Sequence, residues 1–194
     1  GNVILGIGYQ ESDPVYQGAR GFSEFNIGSF TGAGSGSGTT VPTRFTVPGV
    51  GNRQVSADGQ SLIPYYQAFN FNPYNIFQTP FERFNVFGSG KYEVTDGIEV
   101  YSRGMFSKQT VSTIIAPSGS FGLSVQIPIS NPFLTSGIRN TFCTSAGLTA
   151  AQCTAAATAL SPTDPNYREV TVAMGRRAVE VGPRISDYTT TIFD

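Results

Sequence analysis

From Glu82 to Gln109 the side chains alternate with a period of two on both sides of Thr95-Asp96-Gly97. That period is the signature of a strand with two unlike faces, and Asp-Gly between two such runs is a hairpin signal. In the first arm Phe84, Val86, Gly88, Gly90, Tyr92 and Val94 alternate with Arg83, Asn85, Ser89, Lys91 and Glu93, Phe87 being the exception. The second arm sets Ile98, Val100, Gly104 and Phe106 against Glu99, Tyr101, Arg103, Ser107 and Gln109, with Ser102 and Met105 out of step. Each arm is as long as the roughly 9–11 residues with which a tilted strand crosses a bilayer. Alternation alone fits a two-sheet sandwich as well, but a sandwich shows turn signals about every 8–12 residues. Here one very short turn contrasts with long connections at 18–64 and 116–165. Short turns on one side and long extracellular loops on the other are the pattern of an outer-membrane barrel. The fold class expected is therefore all-β: antiparallel transmembrane β-barrel strands with long extracellular loops, a partial barrel of about five or six strands.

The rest of the chain is read around the 81–109 hairpin. Residues 3–10 form a β-prone run that ends at Ser12-Asp13-Pro14, and residues 31–40 have the Gly, Ser and Thr composition of a flexible loop tip. Nine aromatics lie between Tyr65 and Phe87. They read either as an apolar core entry beneath a loop or as an interfacial girdle with ligand-facing rings. On the second reading Tyr65, Tyr66, Phe69, Phe71, Tyr74 and Phe77 are the ligand-contact candidates, and Arg83, Lys91, Glu99 and Arg103 are expected to face a water-filled lumen. The alanine-rich stretch from Leu148 to Leu160 predicts a short helix within the 116–165 loop, and Thr149 with Gln152 has the spacing of a capping box. Period-two alternation returns after Tyr167, and Tyr188 to Phe193 is again β-prone.

The chemistry the chain lacks narrows its function. It contains no histidine, which removes Ser-His-Asp and Cys-His catalysis and most zinc centres. Gly88-Ser89-Gly90-Lys91 resembles the end of a phosphate loop, but Tyr92 follows where Ser or Thr is required. Glu82, Glu93, Glu99 and Glu169 could supply a carboxylate pair for glycoside hydrolysis, but solvated charge on a polar strand face explains them without catalysis. No metal site, no cofactor and no enzymatic activity are expected. A formal charge of −1, with basic residues spread along the chain, leaves no stripe to follow a phosphate backbone, so nucleic acid is not an expected partner. Cys143 and Cys153 are separated by nine residues. A local disulfide in an oxidising compartment is expected, with two free thiols as the other reading.

Two longer stretches carry a resemblance: Gly-Tyr-Gln-Glu-Ser-Asp-Pro-Val-Tyr-Gln-Gly at 8–18 and Phe-Asn-Phe-Asn-Pro-Tyr-Asn-Ile-Phe-Gln-Thr-Pro-Phe-Glu-Arg-Phe-Asn at 69–85. With Glu99-Val100-Tyr101 and Pro162 to Val170 they resemble TonB-dependent outer-membrane receptors of the sphingomonad and caulobacter type. The resemblance implies a barrel segment without its plug, so that residues 1–194 would be a fragment of an active-transport receptor in the outer membrane of a Gram-negative bacterium. The partners implied are outer-membrane lipid, the remainder of the barrel and plug, a TonB-type energy-coupling protein, and a small-molecule or metal-chelate ligand of the siderophore, cobalamin or carbohydrate class. The alternative is a secreted, self-assembling β-rich structural or filament-forming protein.

Overall fold

The computed structural model describes residues 1–64 and 67–194. The chain divides into two compact units. One, the sheet unit, comprises residues 1–24, 72–116 and 183–194; the other, the core unit, comprises residues 25–71 and 117–182.

The sheet unit is built on β1 (Asn2–Ser12), with β2 (Val15–Tyr16) following it. The core unit holds β3 (Arg44–Val47), β4 (Gly51–Val55) and β5 (Leu62–Ile63). The chain then contributes β6 (Ile76–Gln78), β7 (Phe81–Thr95) and β8 (Ile98–Ile115) to the sheet unit. In the core unit come β9 (Gly119–Pro128), α1 (Ser136–Ser145), α2 (Ala150–Thr158) and β10 (Glu169–Arg177); β11 (Arg184–Phe193) belongs to the sheet unit.

Four long strands of the sheet unit form one antiparallel sheet in the order β1-β7-β8-β11, and β2 pairs with β6 in a separate ribbon. The β7–β8 hairpin turns at Asp96 and Gly97. Gly97 has φ +87°, while Asp96 keeps a negative φ, which excludes the mirror-image I′ turn. The register slips between Glu93 and Thr95. A single left-handed glycine beside a slip is the arrangement of a glycine bulge, which raises the local twist. Beyond it, opposed residues share a face along the whole sheet.

The core unit forms a five-stranded antiparallel sheet in the order β5-β4-β3-β10-β9. In β10 the alternation Glu169, Val170, Thr171, Val172 puts the two valines inside at 5% and 2% exposure. They pack with Val47, Ile129, Ile138, Phe142, Cys143, Cys153 and Ala156 in one apolar core. Ile138 and Phe142 stand one turn apart on α1, so a single helix face supplies both. Phe142 meets Phe45 edge-on at 5.7 Å between centroids. The end of α1 is a Schellman motif: Gly147, at φ +70°, donates its N–H to the Thr144 carbonyl, and the Leu148 N–H reaches the Cys143 carbonyl. Helix α2 starts in a capping box. Gln152 N–H donates to Thr149 Oγ1 at 3.3 Å, and Thr149 N–H donates to Gln152 Oε1 at 2.9 Å. The Cys143–Cys153 disulfide joins the two helices.

The all-β barrel expectation is thereby corrected. The fold is mixed α/β, its strands belong to three separate sheets, and the largest strands form a sheet that ends on β1 and β11 instead of closing. The 18–64 stretch, expected as one long loop, contains β3, β4 and β5, and the 116–165 stretch contains β9 and two helices where one was expected. Strands of two to five residues are too short to display a period, so they read as loop. Alternation specifies which side of a strand is apolar; it carries no information on whether the sheet closes.

Candidate interaction face on the four-stranded sheet

The register of the sheet sets an apolar stripe on one side. Val3, Leu5, Ile7 and Tyr9 of β1 lie opposite Gly90, Gly88, Val86 and Phe84 of β7, and these in turn lie opposite Ser102, Gly104, Phe106 and Lys108 of β8. Phe106 lies within 6.3 Å of Phe84 and 5.2 Å of Phe193, centroid to centroid, extending the apolar surface to β11. Its β1 flank is uncovered: Val3 is 85% exposed, Leu5 70% and Ile7 69%, while Val86 and Phe106 are half-buried.

Relief is supplied by small residues. A depression of about 570 Å³ is lined by Val3, Gly90, Tyr92, Val100 and Ser102, among others. It shares Val3, Gly90 and Ser102 with a second, of about 380 Å³, that runs over Leu5, Gly88 and Gly104. A Cβ added at Gly88 would meet only Leu5 Cδ1, at 4.0 Å; one at Gly90 would meet Val3 Cγ2 at 3.7 Å and the Asn2 carbonyl at 3.8 Å. These are ordinary contact distances. No packing within the sheet demands glycine at either position, and what the glycines do is keep the floor of an apolar trough low between aliphatic and aromatic walls.

The opposite side of the sheet is mixed: it carries Ile4, Phe87, Met105 and Ile192, all exposed, and with them Arg83, Lys91, Glu99 and Arg103. Lys91 Nζ pairs with Glu99 Oε2 at 3.2 Å, and Arg103 with Asp194 at 3.3 Å. Arg83 donates from Nε and from a terminal nitrogen to Gln109 Oε1 at 2.9 and 2.6 Å. Exposed pairs of this kind contribute only about 0–1 kcal/mol, so they neutralise the face more than they hold it. A lumen for these residues required closure, and in the open sheet they lie on a mixed outer surface instead. On the side of Tyr9 and Phe84, at the end of the apolar stripe, Glu11 lies opposite Glu82, and both line a small cleft with Asp13 and Asp187. The Tyr9 phenol is raised above its ordinary value, first by desolvation and then by the Glu11 and Glu82 carboxylates.

The aromatic candidates are distributed between the units. Tyr65 and Tyr66 lie outside the described residues. Phe69 and Phe71 belong to the core unit, Tyr74 and Phe77 to the sheet unit. Phe77 stacks on Phe22 with centroids 6.0 Å apart. Phe69 has a different task, for the buried Arg177 guanidinium lies 5.1 Å from its ring and 4.9 Å from that of Phe121. Arg177 also donates to the Pro117 carbonyl at 2.8 Å and to Ser37 Oγ at 2.9 Å. Sequence reading missed this post because Arg176-Arg177 resembles any charged strand end and position 177 has the outward parity of Glu169 and Thr171; a register shift between Met174 and Gly175 is what brings Arg177 inside.

The receptor reading falls with the barrel. Outer-membrane location, membrane lipid, a remaining barrel and plug, a TonB-type coupling protein and an imported ligand were all implied by the resemblance to a barrel receptor. The chain has instead an open sheet and a separate mixed unit with its own buried core. No helix among the described residues is long and apolar enough to cross a membrane. No family model matches the chain, and no curated protein or solved structure matches it either.

Proposed function

We propose that the chain is a non-catalytic binding module that docks another β-structured polypeptide on the apolar face of its four-stranded sheet. The observation that carries this is the exposure of Val3, Leu5 and Ile7 in a sheet whose register aligns them with Phe84, Val86 and Phe106 in one apolar stripe. A sheet with one apolar face is stable when another layer covers it, and contiguous exposed apolar patches of a few hundred Å² mark interaction surfaces. Strands spaced about 4.8 Å apart with a rise of about 3.4 Å per residue give this face an area on the order of 400 Å². A second sheet packing about 10 Å away is the complementary shape. The non-catalytic part of the reading is supported by the histidine-free sequence and by the exposed pairing of Lys91, Glu99 and Arg103.

The test compares the chain with a Leu5→Lys/Ile7→Lys variant by sedimentation and by binding of a hydrophobic dye. The parent chain is expected to associate and to bind dye, and the variant to lose both while the thermal transition of the core unit stays in place. A parent chain that stays monomeric, binds no dye and protects β1, β7 and β8 amides as well as those of β10 overturns the reading, because the sheet would then need no cover.

A further inference from the structure

We infer that β1 is a self-complementary edge which pairs antiparallel with β1 of a second copy of this chain, centred on Gly6. The inference rests on reading the sheet as an association surface and specifies where a second copy joins it. An unpaired edge strand is a template for another strand, and proteins ordinarily blunt such edges with proline, lysine, inward charge or a bulge. Between Asn2 and Gln10 none of these is present, and β1 holds its register with β7 along its whole length without a slip.

Centring the pair on Gly6 sets Val3 opposite Tyr9 of the second copy and Leu5 opposite Ile7, and it matches Asn2 with Gln10 at the ends. Residues of one parity then stay on one face, so the apolar faces of both copies join into one. Aromatic and aliphatic cross-strand pairs of this kind are the stabilising unit of sheets. Glu11 stays outside the paired stretch. Moving the centre one residue toward the C-terminus would set Val3 against Glu11. The other edge offers no such match: in β11 Ile185, Asp187, Thr189, Thr191 and Phe193 share one parity, a mixed set without an apolar stripe.

A twofold β1–β1 contact uses the same patch on both partners and therefore closes after two copies, whereas β1 against β11 would propagate. Joining two faces also doubles the apolar area to roughly 800 Å², the size one side of a standard protein interface presents.

The geometry gives a sharp test. Opposed antiparallel residues have Cα atoms about 4.5–5.5 Å apart, within the range a disulfide spans. Gly6 has nothing within 4 Å of an added Cβ, and the chain's own cysteines are already joined. Full-length Gly6→Cys under mild oxidation is expected to form a covalent dimer roughly a hundredfold faster than Gly8→Cys alone, since pairing converts the encounter into an intramolecular one. Gly8→Cys mixed with Ile4→Cys, which face each other across the same axis, is expected to cross-link as a heterodimer. This mixture reads the register even if Gly6→Cys fails to fold. A chain that sediments as an associated species but leaves Gly6→Cys and the mixture no faster than Gly8→Cys alone overturns edge pairing and spares the docking face. A chain that stays monomeric at every concentration overturns edge pairing, and it overturns the docking face as well only if it also binds no dye and protects β1, β7 and β8 amides as well as those of β10.

Discussion

Strands β1 and β10 are written in nearly the same alphabet and end in opposite environments. Val3 and Leu5 alternate with Asn2 and Ile4, Val170 and Val172 with Glu169 and Thr171. Val172 is 2% exposed and Val3 is 85% exposed. What separates them is a covering layer: α1 and α2 bring Ile138, Phe142, Cys143, Cys153 and Ala156 onto the sheet of the core unit. Alternation decides which side of a strand is apolar, and only a second layer turns that side into a core. The largest test of the contrast is a matched truncation. Phe142→Ala, at a fully buried ring against Phe45, is expected to cost about 3–5 kcal/mol. Leu5→Ala, at 70% exposure, is expected to change stability by less than about 0.5 kcal/mol. Denaturant titration of each variant measures both, and equal costs would mean that β1 is covered in solution.

The disulfide sharpens the same contrast by acting on one unit only. Cys143 and Cys153 are ten positions apart, and closing a loop of that size removes about 2–3 kcal/mol of unfolded-state freedom in the chain-entropy view. Replacing both cysteines by serine is expected to weaken the protection of β10 amides against hydrogen exchange by that amount and to leave β8 amides unchanged. Loss of protection in both strands would show that the two units unfold as one.

Much of this was legible in the sequence, for identifiable reasons. The strands at 81–109 and after Tyr167 announce themselves because they are long enough to show a period, and Thr149 with Gln152 announces α2 because the capping box has a fixed spacing. Helix α1 carries no acidic residue in its first turn and no basic residue in its last, so the usual end signals are missing. Strands β3 to β5 are too short to alternate visibly. The barrel was inferred from strand length and loop asymmetry, which an open sheet satisfies equally well. The trough on the apolar face was partly visible as Gly88 and Gly90, but its depth depends on Ser102 and Gly104 lying opposite them, and register is set by the turn at Gly97.

That turn provides the next, smaller effect. Gly97 has a positive φ and open space around its missing Cβ, so Gly97→Ala meets no clash and carries only the conformational cost of a left-handed residue, about 1 kcal/mol or somewhat more. Because the sheet unit has no core to hold the hairpin in register, even this small cost is expected to appear as faster exchange along β7 and β8 together. The core unit should be untouched. A change limited to the two residues beside the turn would mean that the sheet is held by something other than its hairpin.

The smallest effect separates the units by acid. In the β4–β5 turn the Ser56 hydroxyl donates to the Asp58 carboxylate and the Gln60 N–H does so at 3.0 Å; these bonds, the hydroxyl first, hold the Asp58 carboxyl below its ordinary 3.8. Glu180, bonded by its own N–H and by Arg176, is likewise held low, and both belong to the core unit. A carboxyl depressed in the folded state adds stability that is present above its unfolded value and is lost as the pH falls through the folded one. The core unit should therefore weaken as the pH drops below 3.8. Asp58→Asn keeps an acceptor for the Gln60 N–H but cannot titrate, so its acid limb is expected to be shallower than that of the parent, with the difference vanishing in the pH range where Asp58 is fully protonated in both states. Exchange of β4 and β5 amides followed across that range measures it. An unchanged acid limb would mean that the turn opens without disturbing the strands on either side of it.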